Sequence, residues 1–118
     1  MDDSTITIKY LKDRVRKFIA DRCWEKYHNP KDLAISINIE AAELLELFQW
    51  RTIDEVNQLI SNQEFKNKII EEIADIMIYC LSMANRLNID LSNAIINKLA
   101  KNEIKYPIEK YKGKAYLN

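Results

Sequence analysis

The feature that most constrains this chain is its shortage of backbone breakers: one glycine, Gly113, and two prolines, Pro30 and Pro107, in 118 residues. Average usage of roughly 7% would supply about eight glycines. Between the few breakers, apolar residues recur at spacings of three and four, the period of amphipathic helices. The fold class expected is therefore all-α. The same shortage excludes functions. A Walker A loop needs two glycines in eight residues and the dinucleotide fingerprint needs three, because backbone must approach phosphate without a Cβ in the way. One histidine, His28, leaves no room for a two-histidine zinc site, although a Cys-His pair with Cys23 or Cys80 remains arithmetically open.

A chain of this length, 47% apolar and 31% charged, can build one domain but hardly two. Eighteen basic residues balance eighteen acidic ones, so no global basic field exists to hold nucleic acid or an anionic membrane. The longest uncharged stretch, Ile76 to Asn85, is far below the ~18 residues of a membrane span, and the acidic start is unlike a secretory leader. A cytoplasmic protein is expected. Two cysteines, Cys23 and Cys80, give no disulfide framework and read as buried thiols.

The periodicity predicts a first helix from about Thr5 to Tyr27, with Ile8, Leu11, Val15, Phe18 and Ile19 along one side. Asn29 suits an N-cap and Pro30 the first helical position, so a second helix runs from there to about Gln49. Thr52 caps a short linker helix through Ile60. A long helix follows from Gln63 to Leu87, with Phe65, Ile69, Ile73, Ile76, Cys80, Met83 and Leu87 on one apolar arc. Asp90 caps a last helix, Leu91 to Lys105, which Pro107 ends. The expectation is four helices and a linker helix in a single domain over residues 1–107, arranged as a bundle by the resemblance given below, and a polar tail over 108–118.

The second helix is apolar on more than one face: Leu33, Ile37, Ala41, Leu44, Leu45 and Phe48 fill one arc, and Ile35, Ile39 and Ala42 lie opposite. Homo-oligomerisation is the natural outlet for two such faces, the alternative being a helix enclosed by its own domain. On that wheel Glu40 falls inside the main apolar arc, with Glu43 about 60° to one side. In the long helix Glu72 borders the apolar arc and Asp75 stands three residues on. Spacing of three puts both carboxylates of each pair within reach of a common ion.

Four converging carboxylates in apolar settings repel one another unless protons or cations compensate. All-oxygen ligands favour hard ions, hence Mg²⁺ or Mn²⁺. Ordinary surface charge or salt bridging is the plainer reading of the same acids. A ferritin-like di-iron site would need a second Glu-x-x-His beside Glu25 to His28, which one chain cannot supply. Lys98, Lys101, Asn102 and Lys105 form a basic strip on the last helix, either a phosphate contact or a solvated lysine face. Trp24, Trp50 and Tyr79 could be plain core, but Tyr79 lies on the carboxylate side of its helix, where a ring could stack on a nucleobase.

These stretches, IEAAELLELFQW over 39–50 and EEIADIMIY over 71–79, resemble the MazG-like all-α nucleoside triphosphate pyrophosphohydrolases, most closely the dCTP pyrophosphatase branch. WEKYHNP over 24–30 and KLAKNEIKYP over 98–107 match as well, so the similarity covers roughly residues 10 to 107. The resemblance implies that Glu40, Glu43, Glu72 and Asp75 bind Mg²⁺, with Mn²⁺ a substitute, and that Lys98 and Asn102 assist with phosphate or metal. It implies that Trp24, His28, Trp50 and Tyr79 surround the nucleotide, and that a (d)NTP, such as a pyrimidine deoxynucleotide, is cleaved to (d)NMP and pyrophosphate. Glu43 or Glu46 would orient or deprotonate the attacking water. Val15 stands where that branch has a nucleotide-contacting histidine, a departure that bears on base preference. A homodimer or a tetramer of dimers is implied too. The competing reading is a helical oligomerisation or regulatory module that binds nucleotide without turnover.

Overall fold

The computed structural model describes residues 1–116, which fold into helices joined by short turns, with no strand among them. The last two residues of the expected tail lie outside the described residues. The helices are α1 (Ile8–Asp21), α2 (Pro30–Glu46), α3 (Ile53–Leu59), α4 (Gln63–Arg86), α5 (Leu91–Lys105) and α6 (Ile108–Tyr111), with a 3₁₀ turn at Glu25–Tyr27. The chain separates into two compact units, residues 1–88 and 89–118.

Side-chain caps set most helix starts. The oxygens of Thr7, Asn29, Thr52, Asn62 and Asp90 each accept from the backbone N–H three residues ahead, satisfying a donor that the helix leaves without a partner. The expected caps at Asn29, Thr52 and Asp90 are therefore in place. The first helix, expected from Thr5 to Tyr27, is shorter at both ends. It stops at Asp21 because Cys23 takes φ 53°, and the amides of Cys23 and Trp24 turn back onto the carbonyls of Ala20 and Ile19. That is a Schellman ending, with a cysteine where glycine is usual. Asn88, at φ 54°, terminates α4 in a similar way.

In the first unit, α2 and α1 both pack along α4. The buried apolar side chains among the described residues are Val15, Ile19, Leu33, Phe65, Leu81 and Ala84, and all belong to this unit. Leu33 has no exposed surface. Phe48 meets Phe65 edge-on with ring centres 5.9 Å apart. A polar tie joins α1 to α4: Asn85 Oδ1 accepts from Arg16 Nη2 at 2.9 Å, and its Nδ2 donates to the Lys12 carbonyl at 2.9 Å.

The buried face of α4 is rotated from the expected arc. Leu81, Ser82 and Ala84 are buried, whereas Ile73 and Leu87 are about half exposed. The helix carries apolar residues nearly all round its C-terminal half, so the neighbours that pack on it, and not periodicity, select the face. The expectation of two buried thiols is also corrected. Cys23 is exposed in its turn and Cys80 only half-buried. On α2, Ile35 and Ile39 are exposed, as is Leu45 from the arc expected to be covered.

The second unit, taken alone, holds α5 and α6. None of its described side chains is buried, and Ile95, Ile96, Leu99 and Ile104 are exposed. Residues 108–111, within the expected polar tail, form one helical turn, and the rings of Tyr106 and Tyr111 meet edge-on at 5.1 Å. Among the described residues, no helix is long and apolar enough to cross a membrane.

Candidate metal and nucleotide site

The packing of α2 against α4 brings two acidic pairs face to face. One carboxylate oxygen from each of Glu40, Glu43 and Glu72 lies within 4.8 Å of the other two. Asp75 stands outside that trio, yet close enough for its charge to act on both Glu40 and Glu72. Glu46, the last residue of α2, is exposed and has no place in the trio.

The electrostatics of the trio are unfavourable as it stands. Oε2 of Glu40 and Oε2 of Glu72 are both fully covered, and no hydrogen-bond donor reaches either one. Burial raises the Glu40 carboxyl from the ordinary 4.5 to about 7, helped by proton sharing with Glu43 and repulsion from Glu43, Asp75 and Glu72. Glu72 is raised by the same causes in the same order, burial first and then Glu43, with Asp75 and Glu71 adding repulsion. A lysine or arginine would remove this cost by ion pairing, but the pairs Lys9–Asp13, Arg16–Asp13 and Lys17–Asp21 lie elsewhere, within α1. Two covered oxygens without donors are what a cation would satisfy, and an all-oxygen set suits a hard divalent ion. The residues therefore fit such an ion.

Farther along α4, on the side that carries Glu72 and Asp75, come Tyr79 and Ser82 at spacings of four and three. The His28 ring stacks on Tyr79, with centres 6.0 Å apart and planes 23° from parallel. His28 Nδ1 lies 2.8 Å from Ser82 Oγ. Burial pushes the His28 imidazole below its ordinary value, partly offset by the charge of Glu25, a shift that favours the neutral ring. A cleft of about 390 Å³ opens here, lined by Ile19, Ala20, His28, Ser82 and Asn85, with the charged Arg16, Glu25 and Arg86 around it.

The other expected site residues are dispersed. Trp24 precedes the 3₁₀ turn, packs edge-on against Phe18 with centres 5.9 Å apart, and stays partly exposed. Trp50 lies in the turn after α2 and is 86% exposed. Lys98 and Asn102 belong to α5 in the second unit, where Lys98 is exposed and Asn102 half-buried. Thus Glu40, Glu43 and Glu72 are brought together with Asp75 near them, and His28 with Tyr79. Ser82, Arg16 and Asn85 escaped the sequence reading. Ser82 carried a usable signal, since extending the Glu72, Asp75, Tyr79 series by three reaches it, whereas nothing marked Arg16 or Asn85.

With this geometry in view, the chain belongs to the MazG-like family, whose profile matches residues 35–116. Among curated proteins it is 32% identical to the dCTP pyrophosphatase 1 of Rattus norvegicus over 109 residues, covering 92% of this chain and 64% of the rat protein. It is 33% identical to the dCTP pyrophosphatase 1 of Homo sapiens over 101 residues, or 86% of this chain and 59% of the human one. The chain thus spans less than two thirds of these relatives. Among solved structures it is similar to a pyrophosphatase from Archaeoglobus fulgidus, with TM-score 0.79 and 42% identity over 91% of this chain and 98% of that one.

Proposed function

We propose that the protein is a divalent-metal-dependent nucleotide pyrophosphohydrolase that converts (d)NTP and water to (d)NMP and pyrophosphate. The observation that carries this reading is the pair of covered, donorless oxygens on Glu40 and Glu72, set against Glu43 across two packed helices. The likeness to the dCTP pyrophosphatases and to the archaeal pyrophosphatase supports the reaction class. Of the nucleotides, pyrimidine deoxynucleotides such as dCTP are the preferred substrates, and pool sanitation is the role.

Glu40, Glu43, Glu72 and Asp75 would hold Mg²⁺, or Mn²⁺ in its place. Once bound, the ion supplies polarisation of the phosphates and a lowered pKa for water. The remaining work belongs to the chain. Glu43, exposed at the edge of the trio, or Glu46 would orient the attacking water and accept its proton. Tyr79 offers a face on which the base stacks, His28 stands beside it with its ring edge toward the base, and Trp24 and Trp50 close over base and sugar. Lys98 and Asn102 contact phosphate. Residues 1–107 make up the MazG-like domain and 108–118 its tail, and the exposed apolar faces of α2 are covered in a homodimer or dimer of dimers. The setting is cytoplasmic.

The test is a panel of common and damaged (d)NTPs, scored for pyrophosphate release with Mg²⁺ present. Release of pyrophosphate and monophosphate in equal amounts is expected. Binding by calorimetry without any product would overturn catalysis and favour a non-catalytic nucleotide-binding module.

A further inference from the structure

Ser82 is the one buried polar side chain among the described residues, 3% exposed, and its position inside α4 would suit alanine equally well. Ser82 lies one turn before the end of α4; a buried hydroxyl is tolerated there when its hydrogen bonds are made, and the partner of Ser82 Oγ is His28 Nδ1 at 2.8 Å. An imidazole can either donate from Nδ1 or accept there. The hydroxyl decides between them. Its proton needs an acceptor, and among the described residues Nδ1 is the one within reach. Ser82 therefore donates, Nδ1 accepts, and the neutral ring carries its proton on Nε2.

The rest of the cleft's polar lining is already engaged or exposed. Asn85 uses both ends of its amide on Arg16 and Lys12. Arg16 is shared between Asn85 and Asp13. Glu25 and Arg86 are exposed. His28 is half-buried, stacked on Tyr79, and keeps its second ring nitrogen for an occupant.

We propose that Ser82 is a positioning residue that holds His28 as its Nε2–H tautomer, so that the ring donates a hydrogen bond into the cleft and selects a nucleobase offering an acceptor there. This rests on the reading of the site as a nucleotide site. Pyrimidines differ in this respect: the ring N3 of cytosine is an acceptor, whereas that of thymine or uracil carries a proton. A serine on α4 thus contributes to base choice without touching the base.

His28 is the sole histidine, so its ring nitrogens are unambiguous in a ¹⁵N spectrum of the whole protein. In the metal-free and nucleotide-free protein near pH 7.5, Nε2 is expected as the protonated nitrogen, with Nδ1 shifted upfield as a bonded acceptor. In Ser82→Ala, Nδ1 moves downfield to the unbonded position, while Ser82→Thr, which keeps the hydroxyl, restores the upfield shift. With the best nucleotide of the panel, Ser82→Ala raises KM about tenfold, the worth of one hydrogen bond, and leaves kcat within about twofold. A wild-type ring protonated on Nδ1, or a Ser82→Ala spectrum identical to wild type, overturns the proposal. A protein that hydrolyses no nucleotide would sink the functional reading and leave the spectrum to judge the Ser82 to His28 bond alone.

Discussion

Two stations along α4 carry polar groups into covered surroundings, and they are treated in opposite ways. At Glu72, facing Glu40, covered oxygens find no donor. At Ser82, about 15 Å farther along the helix at 1.5 Å per residue, the covered hydroxyl meets His28 at 2.8 Å. The first station stores an electrostatic debt that only a proton or cation can settle. The second is complete before any ligand arrives. The difference teaches how the two halves of an extended polyanionic ligand can be handled by one rigid helix: charge neutralised by a borrowed ion at one end, shape and hydrogen bonding preset at the other.

The sharpest way to break this comparison is to remove charge at the acidic station. Glu43→Gln and Asp75→Asn should each lower pyrophosphate release at least about 100-fold, on the scale of losing a key electrostatic contact. Both variants should keep their helical circular dichroism. Full activity in both would remove these residues from the site.

The acidic station should also announce itself in stability. The raised carboxyl of Glu40, about 7 against an ordinary 4.5, means that the folded chain binds more protons than the unfolded chain between those values. As far as this group is concerned, metal-free stability is therefore fully present at and below pH 4.5 and is lost as the pH rises through about 7. Glu72 shifts in the same direction and adds to the loss. Mg²⁺ should reverse it at neutral pH, by about 2.7 kcal/mol when free ion is at 100 times its Kd. Urea titrations with EDTA or Mg²⁺ read both effects, and a metal-free stability that climbs between pH 5 and 7 would contradict the assignment.

At the other station the effects are smaller and confined to binding. Tyr79→Leu should raise KM by roughly tenfold through the lost stacking surface, with kcat little changed. An equal fall in kcat would tie the ring to the chemistry instead. Smallest of all, Cys23→Gly relieves a left-handed residue outside both stations and should stabilise the fold by about 1 kcal/mol in chemical denaturation, with activity preserved.

How far these stations were legible depends on what kind of signal each residue emits. Asn29, Thr52 and Asp90 act on neighbours three residues away, so their capping is written locally and the helix starts were readable. The end of α1 was not, because Cys23 does there what a glycine usually does and leaves no mark. Glu40 was conspicuous as an acid within an apolar arc, but its meeting with Glu43 and Glu72 depends on how α2 lies on α4. Asp75 illustrates the limit: its spacing from Glu72 equals that of Glu43 from Glu40, and yet it stands outside the close trio. Leu81, Ser82 and Ala84 were missed as a buried face because a helix that is apolar almost all round does not say which side its neighbours will take. Trp50, a large ring that a composition argument would bury, is 86% exposed.

Among the described residues Leu33 is the one large side chain with no contact with water, while Ile35 and Ile39 on the same helix are about half bare. A chain that covers so little by itself, and gains the rest from copies of itself as proposed, has a folding equilibrium that contains its own concentration. Its melting temperature is then a property of the solution as much as of the sequence, and dilution becomes a denaturant.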